Sequence, residues 1–162
     1  MAEKKKIRRK IVMPEGYKRK PKMLYKEDFY PKELVKRVLE FLESKIDEED
    51  YFVSPMISMP TGKVKIPRRQ ALMGDKGKSY GYSGITIPAK EWNPAMYEMM
   101  KMSEKYVREH EDPDITFNVI FINLYEDGGD HVSWHKDRKK DLMLGSTIGS
   151  ASLLATRRFS MR

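Results

Sequence analysis

No cysteine occurs among the 162 residues of the chain. Disulfides and thiolate-held metals are thereby excluded, so any metal must be bound by imidazole and carboxylate groups. Histidine is scarce too, with only His110, His131 and His135. No apolar run approaches the roughly 18 residues that crossing a bilayer requires. The N-terminus opens on Lys and Arg but lacks the apolar stretch of a secretory signal. The expectation is an intracellular protein with no membrane partner. With 40% hydrophobic and 35% charged residues, the chain can build one modest core and is too short for two ordinary domains.

Charge is present but unevenly placed. Residues 1–26 hold eleven Lys or Arg (Lys4, Lys5, Lys6, Arg8, Arg9, Lys10, Lys18, Arg19, Lys20, Lys22 and Lys26) against Glu3 and Glu15. This local excess exceeds the formal net charge of +8, so the remainder is close to neutral. Such an arm suits phosphate backbones through counterion release, serves equally as a nuclear-localisation signal, and is also what a solvated, disordered tail looks like. Composition leaves these readings open, and with them the choice between nucleus and cytoplasm. The division expected is a disordered arm over 1–26 and a folded domain over 27–162.

Beyond the arm, Leu34, Val35, Val38, Leu39, Phe41 and Leu42 recur at helical spacing and predict an amphipathic helix over residues 31–46. Asp28 is the expected cap and Pro31 the first-turn residue. Between Met59 and Gly84 the sequence is rich in turn residues, which predicts short strands joined by tight turns. Loops dense in Gly, Arg and Tyr suit a plain surface hairpin or a nucleic-acid surface. Pro94–His110 carries Met96, Met99, Met100, Met102, Tyr106 and Val107 at helical spacing, a stripe better explained by core filling than by a cofactor. Ile115–Tyr125 is rich in β-branched and aromatic residues and predicts a strand. Further strands are expected over His131–Asp137 and Ile148–Arg162, with a turn at residues 126–130.

His135 and Asp137 are two apart on the predicted metal-side strand, and side chains at i and i+2 project from one face. An imidazole and a carboxylate so placed supply two of the three ligands of a two-His, one-carboxylate iron(II) site. As a bare pattern, His-x-Asp occurs often by chance.

The surrounding blocks raise its weight. In order they are Pro67-Arg68-Arg69-Gln70, Gly74-Asp75-Lys76-Gly77, Tyr80-Gly81-Tyr82-Ser83-Gly84, Trp92-Asn93-Pro94, Phe117-Asn118 through Asn123-Leu124-Tyr125, Trp134-His135-Lys136-Asp137 and the segment Ser152–Phe159. Together they resemble the AlkB family of nucleic-acid dealkylating dioxygenases, in particular its animal-type DNA and RNA repair branch, over about residues 62–162. The resemblance implies an α+β domain with a mainly β core, a double-stranded β-helix or jelly-roll with flanking helices. It implies Fe(II) held by His135 and Asp137, and 2-oxoglutarate as co-substrate hydrogen-bonded by Asn123 and Tyr125. Tyr82 would stack on a flipped-out base opposite the His135 ring, and Arg68, Gln70, Tyr80 and Ser83 would approach DNA or RNA containing alkylated bases. The reaction implied couples decarboxylation of 2-oxoglutarate to hydroxylation of an N-methyl group, which leaves as formaldehyde.

Three departures accompany the match. The family's second metal histidine and its Arg-x5-Arg pair lie downstream of the block at Ser152–Phe159, so triad and jelly-roll are expected to be incomplete at the C-terminus. His131, about 13 Å from His135 on an extended strand, is no substitute. Where the repair enzymes place an acidic residue after the metal Asp, this sequence reads Arg138-Lys139-Lys140, and Leu154 and Met73 replace a usual glycine and a usual aromatic. The readings that follow are a catalytic dioxygenase, a non-catalytic or truncated nucleic-acid-binding relative, and half of a split enzyme completed by a second chain.

Overall fold

The computed structural model describes residues 23–60, 62–135 and 147–160. Most of the basic arm, as well as Asp137 and Arg138-Lys139-Lys140, lies outside the described residues. The element order is α1 (Lys32–Glu43), β1 (Met56–Met59), β2 (Gly62–Lys65), β3 (Arg69–Gly74), β4 (Ser79–Tyr82), β5 (Ile85–Pro88), α2 (Pro94–His110) and β6 (Val119–Leu124). The strands form three antiparallel ribbons, β1 with β2, β3 with β6, and β4 with β5. The mixture of antiparallel strands and two helices agrees with the expected class, but the described residues form no closed barrel.

The ribbon β3–β6 organises the rest. Its register pairs Gln70 with Asn123, Ala71 with Ile122, and Met73 with Ile120. Alternation puts Ala71, Met73, Ile120, Ile122 and Leu124 on one face. That face meets Leu34, Val38, Phe41 and Leu42 of α1 and Ala95, Met96 and Met99 of α2, and the buried residues 51 and 52 extend the core toward β3. The methionine stripe is core filling, as its spacing suggested. Met73 belongs to this helix-facing side and is 1% exposed. Its substitution for an aromatic is therefore a matter of helix packing and does not touch the opposite face.

Helix α1 is shorter than predicted. It starts with Pro31 at the cap position, and no side chain caps it. Asp28, the expected cap, instead turns the chain with φ 48°. Helix α2 has the predicted bounds, because Asn93 Oδ1 accepts from Ala95 N and Met96 N and Pro94 opens the first turn. Glu104, 3% exposed, fastens this helix to the chain entering β6 by accepting from Phe117 N at 2.8 Å, and on its own helix it accepts from Lys101 Nζ at 2.8 Å and forms an ion pair with Arg108 Nη2 at 3.2 Å.

The predicted strand Ile115–Tyr125 is reduced to Val119–Leu124 for a related reason. Ile115 N donates to Asp112 O, Ile115 O accepts from Arg108, and Phe117 N is taken by Glu104. Those backbone groups serve the end of α2 and are lost to a ladder.

Two further strand expectations are corrected. Residues 131–135 make one backbone bond to the sheet region, His131 N to Pro67 O, and the imidazoles of His131 and His135 fold back on Gly129 O and Ser133 O. Residues 147–160 contain no strand, and Ile148, Leu154 and Phe159 are exposed while Leu153 reaches the core.

Candidate functional site

The second face of the β3–β6 ribbon carries Gln70, Leu72, Phe121 and Asn123, and the β4–β5 hairpin covers it. Tyr80 and Tyr82 place their rings 5.2 and 6.1 Å from Phe121. The hairpin is held tight by a two-residue turn at Ser83-Gly84, both with positive φ (47° and 82°), the backbone a type I′ turn requires. At the far end of β3, Gly74 permits a close approach. A Cβ there would lie 2.7 Å from Val119 Cγ1 and 2.8 Å from Asn118 O.

Between ribbon and hairpin lies a polar network. Gln70 is 0% exposed. Its Nε2 donates to Asn123 Oδ1 at 2.9 Å, its Oε1 accepts from the Tyr82 hydroxyl, and Arg68 Nε donates to the same Asn123 Oδ1 at 2.8 Å. Arg68 Nη1 also donates to His131 O at 3.2 Å, tying the segment that leads to His135 to the start of β3. With its oxygen occupied twice, Asn123 has its Nδ2 donor pair left to offer. Donors are what a carboxylate or keto oxygen requires.

Burial pushes the Tyr82 hydroxyl above its usual range, and Tyr80 adds to the rise. The Arg68 charge and the Gln70 hydrogen bond pull the other way without cancelling it. Tyr82 is therefore a neutral phenol at physiological pH, able to donate or accept.

A second cluster surrounds Tyr125. The Arg157 guanidinium lies 4.4 Å over the Tyr125 ring, and its nitrogens donate to Asp127 O (3.1 Å) and Asp130 O. The turn beneath is closed by Asp127 Oδ1, which accepts from Gly129 N at 2.7 Å, and by Asp130 Oδ2, which accepts from Glu126 N at 2.8 Å. Sequence reasoning noted Arg157 within a matching block and gave it no role. Nothing local points to it, because its partners are 27 and 30 residues away.

The predicted site residues are distributed as follows. Arg68, Gln70, Tyr82 and Asn123 form one network, and Tyr80 packs beside it. Gln70 is the second residue of the largely buried strand β3 and not, as expected, in a loop approaching nucleic acid. The pattern Arg69-Gln70-Ala71-Leu72-Met73 gave no sign that the polar residue would be covered. Ser83 is exposed at the hairpin turn, and Tyr125 lies beneath Arg157. The exposed His135 donates Nδ1–H to Ser133 O at 2.8 Å. Its predicted partner Asp137 lies outside the described residues, among which no group of three His, Cys, Asp or Glu side chains is placed to hold an ion.

A family model for the 2OG-Fe(II) oxygenase superfamily matches residues 22–162. Among curated proteins, the DNA oxidative demethylase ALKBH2 of Bos taurus is 36% identical over 117 residues, 71% of this chain and 40% of its own length. ALKBH2 of Homo sapiens is 36% identical over 119 residues, 71% of this chain and 42% of its own. The alpha-ketoglutarate-dependent dioxygenase alkB homolog 3 of Mus musculus is 36% identical over 97 residues, 59% of this chain and 31% of its own. The chain thus spans less than half the length of these relatives.

Proposed function

The chain belongs to the 2OG-Fe(II) oxygenase superfamily as an AlkB-like member, and from that premise we propose that it acts in the oxidative demethylation of alkylated bases in DNA or RNA. The observation that carries the reading is the single buried network joining Tyr82, the candidate base-stacking residue, to Asn123, the candidate co-substrate ligand. Similarity to proteins named as demethylases and dioxygenases supports the same class. In this reading the described ribbons and helices are part of a jelly-roll.

The division of labour follows from the side chains. His135 and Asp137 would hold Fe(II), and the donors of Asn123 with the Tyr125 hydroxyl would hold 2-oxoglutarate. Bound there, the metal and co-substrate would supply, with dioxygen as oxidant, hydroxylation of an N-methyl group while 2-oxoglutarate is converted to succinate and carbon dioxide. The protein's part is positional. Arg68 and Gln70 fix Asn123, Arg157 fixes Tyr125 and the turn after it, and the hairpin presents Tyr82 as a π face for an unstacked base. Phe121 and Tyr80 pack beside the Tyr82 ring, with centroids 6.1 Å from it. A shallow cleft of about 210 Å³ beside the network is lined by Lys65, Arg68 and Arg69 together with Glu126 and Asp130, and Glu126 pairs with Arg69 at 3.1 Å. The basic arm over 1–26 adds non-specific attraction, and nuclear placement would rest on the same residues.

A reading without turnover, as a nucleic-acid binder, is favoured by the charge of that arm alone. One assay separates the two. Succinate formed from 2-oxoglutarate, Fe(II) and an N-methylated oligonucleotide should appear with the wild type and vanish in His135→Ala and Asp137→Ala. Oligonucleotide binding with no succinate above the no-protein control would overturn turnover by this chain on its own.

A further inference from the structure

A second cleft, of about 320 Å³, opens on the helix-facing side of β3, across the ribbon from the Gln70 network. It lies where the chain leaving β5 runs beside β3 and turns into α2 past the C-terminal end of α1. Lys90 N donates to Leu72 O there, and Gly74 N donates to Lys90 O. Phe41, Met73, Trp92 and Pro94 give the cleft apolar walls. Its polar groups are Lys45, Tyr51, Lys90, Glu91 and Asn93. None of these residues holds a place in the candidate oxygenase site.

The polar groups are not balanced. Tyr51 is 6% exposed, and its hydroxyl is buried with no hydrogen-bond partner among the described residues. A buried hydroxyl without a partner costs free energy that a phenylalanine would avoid. Burial, with the Glu48 carboxylate nearby, holds the group above the ordinary phenol range, so it keeps its proton and has one to donate. The Nζ atoms of Lys45 and Lys90 lie 5.6 and 4.7 Å from the centre of the same ring. Lys45 is already paired with Glu48. Lys90 has no carboxylate partner among the described residues, and its hydrogen bond goes to Asp50 O at 3.3 Å, which is long for an ammonium donor. Asn93 spends its Oδ1 on Ala95 N and Met96 N, so it has only donors left to offer. Donors from Tyr51, Lys90 and Asn93 thus meet in an apolar-walled cleft whose lining has one carboxylate, Glu91.

We propose that this cleft binds a small aromatic monocarboxylate, its oxygens held by Lys90 and Tyr51 and its ring between Phe41 and Trp92. The walls select an organic anion, because inorganic phosphate would set polar oxygens against apolar surface with too few donors to satisfy them. Glu91 selects one negative charge over two. Size agrees, since at roughly 30 Å³ for each water the cleft has room for about ten non-hydrogen atoms. Lys90 exchanges its long bond to Asp50 O for the carboxylate, and the movement of this flexible side chain off the Tyr51 ring opens the hydroxyl to the second oxygen. The site is independent of the oxygenase reading, and either can fail without the other.

The test titrates benzoate into the full chain, isotope-labelled for NMR, and follows the indole N–H of Trp92. We expect a saturable shift with a dissociation constant of about 1 mM or tighter, and no such shift from inorganic phosphate. Benzamide keeps the ring and the size without the charge and should bind about tenfold more weakly; Lys90→Met should weaken benzoate by a similar factor. Tyr51→Phe should move two readouts in opposite directions. Its Tm without ligand should rise, because the unpartnered hydroxyl is gone, while benzoate binding weakens about three- to fivefold. A lower Tm in Tyr51→Phe would show that the hydroxyl already has a partner, and it overturns that residue's part. The site itself is overturned by the absence of a saturable shift, by phosphate or benzamide binding as well as benzoate, or by benzoate affinity unchanged in folded Lys90→Met. If either variant does not fold, the other variant and the benzamide comparison decide.

Discussion

Glu104 offers a direct test of what holds β6, and with it Asn123, against the helices. The carboxylate is 3% exposed and has three partners, Lys101, Arg108 and the backbone N–H of Phe117. Burial alone would raise its pKa. The hydrogen bonds from Lys101 and Phe117 and the charges of Lys101 and Arg108 outweigh burial and hold it below the ordinary carboxylate value. Glu104→Gln keeps the shape and an acceptor for Phe117 but loses the charge, and hydrogen bonds to charged groups contribute about 1.5–3 kcal/mol against about 1 for neutral ones. A loss of about 1–2 kcal/mol is expected, or roughly 2–8 °C in Tm for a chain of this size. Glu104→Leu also orphans the Phe117 N–H and should cost about 3–5 kcal/mol. The pH dependence has a fixed sign. A depressed folded pKa means the contribution is complete above the unfolded value of about 4.3 and is lost as pH falls through the lower folded value. Thermal melts followed by circular dichroism at pH 7 and at steps below pH 4.5 should show the gap between wild type and Glu104→Gln closing on acidification. Equal melting temperatures at pH 7, or a gap that stays constant to the lowest pH at which both fold, would refute the account.

Three other outcomes follow from single contacts. Gly74→Ala sets a methyl 2.8 Å from the Asn118 carbonyl oxygen, part of the backbone, and should destabilise the chain by about 1–3 kcal/mol in urea titration. Arg157→Ala removes the cation over Tyr125 and two donors to the turn. Because the cluster is exposed, stability should drop by less than about 1 kcal/mol, while 2-oxoglutarate affinity measured by calorimetry with Mn(II) should fall about three- to tenfold, and an unchanged affinity would remove Arg157 from the co-substrate site. Deleting residues 1–26 takes away eleven basic side chains, so the slope of log affinity for an oligonucleotide against log salt should become shallower. The same slope before and after deletion would show that the arm makes no phosphate contacts.

Local signals sufficed where the structure is local. The Pro94 start and methionine spacing of α2 and the apolar run of β6 are each decided by neighbours a few residues away. The ordered short blocks likewise placed the chain in its family before any coordinate was known. What sequence could not supply is which backbone groups were already spoken for. Ile115 and Phe117 have strand-forming side chains, yet Glu104 and Arg108 claim their polar groups. Nor could it supply the side of the ribbon. A shift of one residue exchanges the two faces of a strand, and only the β3–β6 register puts Met73 among the helices and Gln70 beneath the hairpin.

The candidate site was therefore legible in residue types and spacing, because His135, Asp137, Asn123 and Tyr82 bring their donors and acceptors wherever the chain carries them. How those groups are held was decided by tertiary structure. The Gln70 network and the Arg157 clamp on Tyr125 join residues far apart in the chain, and a buried polar group finds its partners only when the packing that excludes water also chooses its neighbours.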